Sequence, residues 1–234
     1  MSTLFCIALL ATSSLACRDG GTTPEGPPAM EWHEVASPLG TINVALVRPD
    51  PGSTGPHPVI FALPWGGGTP DLVVSLVSSY WDTAAPARGY YVVAPSVLGS
   101  SLSENADEVI VALFEWMTEE LDFDPAAVVI TGASNGGRGS FFAAVQQPER
   151  FAAIIGMPGY YAGPDEDLAV LAGKPIWLMA GEFDESWVAS TTATRDALES
   201  LGIDVLHSVL PGQGHVLNVT QRSLMDWVDE ALGR

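Results

Sequence analysis

Basic residues are scarce: nine Lys and Arg stand against 28 Asp and Glu, a formal charge of −19. Such a surface repels a phosphate backbone at ordinary ionic strength, which argues against nucleic acid as a partner. Cysteine is nearly absent, with only Cys6 and Cys17, and there are four histidines and no H-E-x-x-H pattern. No metal-ligand cluster can be read from so few candidates, and no cofactor is expected. No apolar run is long enough to cross a bilayer as a helix. Charged residues are only 16% of the chain against 47% hydrophobic, with 24 Gly and 18 Pro, the mixture of a globular chain with many tight turns. No internal repeat interrupts the 234 residues, which are enough for one full-sized domain.

The beginning of the chain differs in kind from the rest. Leu4 to Ala11 forms a short apolar run that reads as the core of a secretory signal. Ser14-Leu15-Ala16-Cys17 follows, and these small residues ahead of a cysteine resemble the processing site of bacterial lipoproteins. That resemblance implies a signal peptide over 1–16 and acylation of Cys17, with the mature protein held in the cell envelope, or secreted. Cys6 would leave with the signal, so no internal disulfide is expected in the mature chain. Residues 17–30, rich in Gly and Pro, read as a flexible tether, and 31–234 as the folded domain.

Within the domain, apolar runs alternate with amphipathic stretches. Trp32–Val35 and Ile42–Val47 predict an antiparallel hairpin turning at Pro38-Leu39-Gly40. Pro58–Leu63, Tyr90–Ala94, Val128–Thr131, Ala152–Gly156, Ile176–Ala180 and Asp204–Leu210 read as strands, most of them apolar throughout as in a sheet covered on both faces. Helices are predicted over 72–87, 103–120, 136–147, 190–201 and 218–232. In the second of these, Val109, Leu113, Trp116 and Met117 share one face. The succession predicts an α/β domain with a mostly parallel sheet between helical layers.

Gly132-Ala133-Ser134-Asn135-Gly136 matches G-x-S-x-G, placed directly between a strand and a helix. A sharp turn there lifts a serine hydroxyl above the sheet edge, and glycine on both sides avoids clashes. The helix start offers the Asn135 N–H to a developing oxyanion. A serine needs a base, and a base needs an orienting carboxylate. His33 and His57 fall near the hairpin and its exit, and His207 falls inside a predicted strand. His215 lies in the glycine loop Pro211–His215 before the last helix. Asp184 follows the strand Ile176–Ala180, with Glu182 and Glu185 as rivals for the carboxylate.

From Trp32 onward the chain resembles the α/β-hydrolase superfamily. The order Ser134, Asp184, His215 and the segment Gly132–Phe151 are similar to those of small esterases such as feruloyl esterases and polyhydroxyalkanoate depolymerases. Pro64-Trp65-Gly66-Gly67-Gly68 resembles their H-G-G-G oxyanion loop, with Trp65 where the family has His, and makes the Gly67 N–H the first choice for a second donor, ahead of Gly66 or Gly68. The resemblance implies an α/β-hydrolase fold with little or no lid. It further implies a serine esterase acting on small-molecule or polymeric esters, with the membrane involved only through the N-terminal anchor. Trp65, Tyr160, Tyr161 and Trp187 are candidates to line the substrate pocket, or else belong to the core. Peptidase or acyltransferase chemistry on the same residues, and a non-catalytic binding protein of this fold, stay open.

Overall fold

The computed structural model describes residues 30–96 and 106–234, with side chains from Glu108 onward in the second stretch. The expected signal segment, Cys17 and nearly all of the tether lie outside the described residues, as does the start of the helix read from Ser103.

Eight strands form one sheet: β1 (Glu31–Ser37), β2 (Gly40–Val47), β3 (His57–Leu63), β4 (Tyr91–Pro95), β5 (Phe123–Gly132), β6 (Ala153–Gly156), β7 (Ile176–Gly181) and β8 (Leu206–Leu210). Their spatial order is β1-β2-β4-β3-β5-β6-β7-β8. The predicted hairpin β1–β2 is antiparallel and joins β4 antiparallel, and every later pairing is parallel.

The helices are α1 (Pro70–Tyr80), α2 (Ala84–Ala87), α3 (Ala106–Glu120), α4 (Asn135–Gln146), α5 (Glu185–Ser200) and α6 (Gln221–Ala231). Alternate residues of each central strand face opposite layers, because successive side chains point to opposite sides of a sheet. On β3, Val59, Phe61 and Leu63 pack with Leu113 and Met117 of α3, Phe141 of α4 and Leu198 of α5. Ile60 and Ala62 face the other way, toward Val73 and Leu76 of α1, Ala85 of α2 and Leu224 and Val228 of α6. Trp116 packs at the margin of the first layer, on the face predicted for it.

The helix read over 72–87 is two helices separated by a turn at Trp81-Asp82-Thr83. Pro86 has no N–H to give a carbonyl one turn earlier, so a continuous helix would lose a bond and clash at that point. The side chain of Gln221 instead accepts hydrogen bonds from the Thr83 and Ala84 N–H groups, at 2.9 and 3.0 Å. α5 starts at Glu185, five residues ahead of the expected Ser190. α6 starts at Gln221 behind Thr220, whose Oγ1 accepts the Ser223 N–H at 3.1 Å.

Candidate active site

The carboxyl ends of β3, β5, β7 and β8 open onto one edge of the sheet, where ligands of parallel α/β sheets bind. Each of these strands delivers one part of the site.

β5 ends at Gly132, and Ser134 follows with φ 57° and ψ −118°, alone among the described non-glycine residues in having positive φ. Such a conformation costs about 1–3 kcal/mol and persists only where its surroundings enforce it. The surroundings here are backbone. A Cβ on Gly132 would lie 2.3 Å from the Gly136 carbonyl carbon, and one on Gly136 would lie 2.1 Å from the Leu63 carbonyl oxygen. The Ser134 N–H donates to the Pro158 carbonyl at 2.9 Å, tying the turn to the loop after β6.

His215 Nε2 lies 2.9 Å from Ser134 Oγ, and its Nδ1 lies 2.5 Å from Asp184 Oδ2. The sheet thus gathers all three residues that the sequence singled out. Asp184 is nearly enclosed, with 14% of its side chain exposed, while the His215 side chain is 43% exposed. An enclosed carboxylate feels less screening by water and holds the imidazole more firmly in one orientation.

The rivals have other roles. Glu182 Oε2 accepts the Gly212 N–H at 2.7 Å, and the Phe183 N–H donates to the Gln213 carbonyl at 2.8 Å, so this segment clamps the loop that carries His215. Gln213 closes the loop from within, accepting the Asn218 N–H at 2.7 Å. Glu185 begins α5. Of the other histidines, His57 Nδ1 bonds the Gly89 carbonyl at 2.8 Å, His207 Nε2 meets Thr191 Oγ1 at 3.0 Å, and His33 packs on the Trp116 ring, so none joins the site.

A cavity of about 270 Å³ opens beside Ser134, walled by Trp65, Tyr80, Met157, Pro158 and Leu217. Its walls are apolar because Tyr80, the one buried hydroxyl among these, donates to the Leu217 carbonyl at 2.7 Å. That burial holds the Tyr80 phenol above its ordinary pKa. Trp65 therefore lies where a pocket residue was expected. Tyr160 and Trp187 stand outside the cavity: the Trp187 ring is 5.0 Å from the His215 ring, and Tyr160 meets Trp187 at 4.9 Å. Tyr161 packs at the edge of the core, its hydroxyl bonded to Asp167 at 3.0 Å, and burial followed by that bond pushes its pKa up to about 12.

Within the loop after β3, Gly66 lines the cavity and its carbonyl accepts Asn135 Nδ2 at 3.0 Å. Gly66 and Gly67 are both exposed, Gly67 lies outside the cavity wall, and the Gly68 N–H is engaged with the Trp65 carbonyl at 3.2 Å. The Asn135 N–H stands in the first turn of α4 with no backbone partner among the described residues. The glycine pattern puts Gly67 first among the three; of these, Gly66 is the one that lines the cavity. Also among the described residues, no three His, Cys, Asp or Glu side chains converge as a metal site.

The model of the prolyl oligopeptidase family matches residues 78–162, a stretch that contains Ser134. No curated protein matches the chain by sequence. Among solved structures, a thermostable esterase is 21% identical with a TM-score of 0.70, covering 86% of this chain and 62% of its own. The acylaminoacyl peptidase of Pyrococcus horikoshii is 15% identical with a TM-score of 0.67, covering 89% of this chain and 41% of its own. The enterobactin esterase of Shigella flexneri is 17% identical with a TM-score of 0.64, covering 88% and 61%. This chain thus spans less than two thirds of the length of each of these three proteins. At such identities the likeness shows the fold: the chain has the α/β-hydrolase fold, which serine esterases and serine peptidases share.

Proposed function

We propose that this chain is a serine hydrolase that cleaves carboxylic esters through an acyl-enzyme intermediate. The observation that carries the proposal is the unbroken line of hydrogen bonds from Ser134 through His215 to Asp184. In the first half-reaction Ser134 Oγ attacks the carbonyl carbon while its proton passes to His215 Nε2. The negative oxygen accepts hydrogen bonds from the Asn135 N–H and from an N–H of the loop after β3, for which the position of Gly66 on the cavity favours it over Gly67. Collapse expels the alcohol, which takes the proton from His215. Water then attacks the acyl carbon, gives a proton to His215, and the acid leaves as that proton returns to Ser134.

The test is intact-mass labelling with a fluorophosphonate, which forms a stable adduct only with an activated serine. One adduct on the wild type and none on Ser134→Ala or His215→Ala is the expected result. Folded wild-type protein that takes up no label would make the chain a binding protein of this fold instead.

A second reading, peptide cleavage at the same serine, is favoured by the prolyl oligopeptidase match over 78–162. Parallel assays on an aryl ester and the matching aryl amide separate the two. The ester reading expects kcat/KM for the ester to exceed that for the amide by far more than their intrinsic reactivities.

For the N-terminal segment we propose export with lipid attachment at Cys17, carried by the small residues Ser14 and Ala16 ahead of it. Membrane-fraction protein should move to the soluble fraction in Cys17→Ser. Unchanged partitioning would reject the anchor.

A further inference from the structure

Five of the eight cationic side chains among the described residues are already partnered. Arg48, Arg88, Arg150 and Arg195 each meet at least one carboxylate, and Lys174 donates to the Phe151 carbonyl. Arg138 is different. It lies one turn into α4 from Ser134, its N–H bonded to the Ser134 carbonyl at 3.0 Å, and it has no ion-pair partner among the described residues. Its Nε is buried without a hydrogen-bond partner, while its guanidinium carbon stands 5.6 Å from the centroid of the Tyr160 ring.

Unlike the exposed Arg222 and Arg234, which also lack an ion pair, this guanidinium is partly enclosed while no carboxylate among the described residues pairs with it. Its planar fork is the side chain best suited to hold a carboxylate through two parallel hydrogen bonds. The Tyr160 ring fixes one face of the group by a cation–π contact and lowers the entropy lost on binding.

The rings link this cation to the reacting atoms. Trp187 meets His215 edge-on with centroids 5.0 Å apart, Tyr160 meets Trp187 edge-on at 4.9 Å, and Arg138 closes the series. A leaving alcohol must lie against His215 Nε2, the atom that protonates it. Trp187 flanks His215 outside the apolar cavity, so a substituent continuing from that alcohol on this side would meet Trp187 and then Tyr160. We infer that Arg138, with Tyr160 and Trp187, forms a leaving-group subsite for a carboxylate, so that the preferred substrates are esters with an apolar acyl group and an acid-bearing, ring-stacking alcohol portion.

The inference rests on the esterase reading, and its test separates the two. Phenyl butanoate and 4-carboxyphenyl butanoate differ only by the carboxylate on the leaving side, and monophenyl succinate, with the same phenol leaving group, carries it on the acyl side. The ratio of kcat/KM for the carboxyphenyl ester to that for phenyl butanoate should fall about tenfold in Arg138→Gln, the size of one charge-assisted pair. Phenyl butanoate itself should stay within about twofold, and Arg138→Lys should lose most of the preference because it lacks the fork. In the wild type alone, benzoate should inhibit competitively at lower concentration than benzyl alcohol, a readout that needs no variant to fold. An unchanged ratio, a parallel loss on both phenyl esters, a carboxylate preference confined to the acyl side, or benzoate no better than benzyl alcohol would overturn the subsite and leave the esterase reading intact. Absence of turnover on every ester, with no fluorophosphonate adduct, would overturn both.

Discussion

Gly181 and Gly214 meet so closely that a Cβ on Gly181 would lie 2.1 Å from the Gly214 carbonyl oxygen. Gly181 closes β7 just before the segment that carries Asp184, and Gly214 precedes His215. The contact therefore sets the distance between the two loops, and with it the 2.5 Å approach of Asp184 to His215. Gly181→Ala forces the loops apart by more than a flexible side chain could absorb. Ester turnover should fall on the order of a hundredfold in kcat, the cost of misplacing a reacting group by about 1 Å. Steady-state kinetics beside a thermal melt checks it, and full activity in a folded variant would count against loop spacing as the control.

Asp184→Asn keeps the shape of the carboxyl group but removes its charge and can reverse the imidazole tautomer. A loss on the order of 10³–10⁴ in kcat is expected, with KM little changed. Glu182→Gln weakens only the clamp on Gly212, so roughly a tenfold loss is expected there, well short of the Asp184 effect. Equal losses in the two variants would make Glu182 as important to His215 as Asp184 is.

Ser134→Gly should stabilise the fold while abolishing turnover. The serine is held at φ 57°, a region that glycine enters at no steric cost, so roughly 1 kcal/mol of strain is released. Urea unfolding of the variant beside Ser134→Ala measures it. A Ser134→Gly midpoint below that of Ser134→Ala would contradict the strain at this turn.

Burial first, and the neighbouring Arg195 second, hold the His207 imidazole below its ordinary pKa of 6.5. The unfolded chain therefore binds this proton more readily than the folded one, so acid favours unfolding. The contribution is fully present above the ordinary pKa and is lost as pH falls below it toward the folded value. Between pH ~7.5 and pH ~5.5 the melting temperature of the wild type should drop further than that of His207→Gln. Parallel drops would remove His207 from the account.

What could be read from the sequence was whatever depends on near neighbours. Unbroken apolar runs such as Pro58–Leu63 mark strands covered on both faces, and Gly132 to Gly136 between a strand and a helix marks a turn that only small flanking residues allow. The chain order of Ser134, Asp184 and His215, each after its own strand, followed from the same local signals. The tertiary structure decided what local signals leave open. Ser134 and His215 are 81 positions apart and Asp184 and His215 are 31 apart, so only the order of β5, β7 and β8 in the sheet brings them within a hydrogen bond. The fold likewise assigned Asp184 to the imidazole and Glu182 to the Gly212 N–H, because the two acidic residues of this short loop point in different directions once its backbone is fixed. It placed Gly66 rather than Gly67 on the cavity, and it brought Arg138, Tyr160, Trp187 and His215 together from four separate segments. A sequence states which side chains are present; their distances come from backbone hydrogen bonds and packing between segments far apart in the chain.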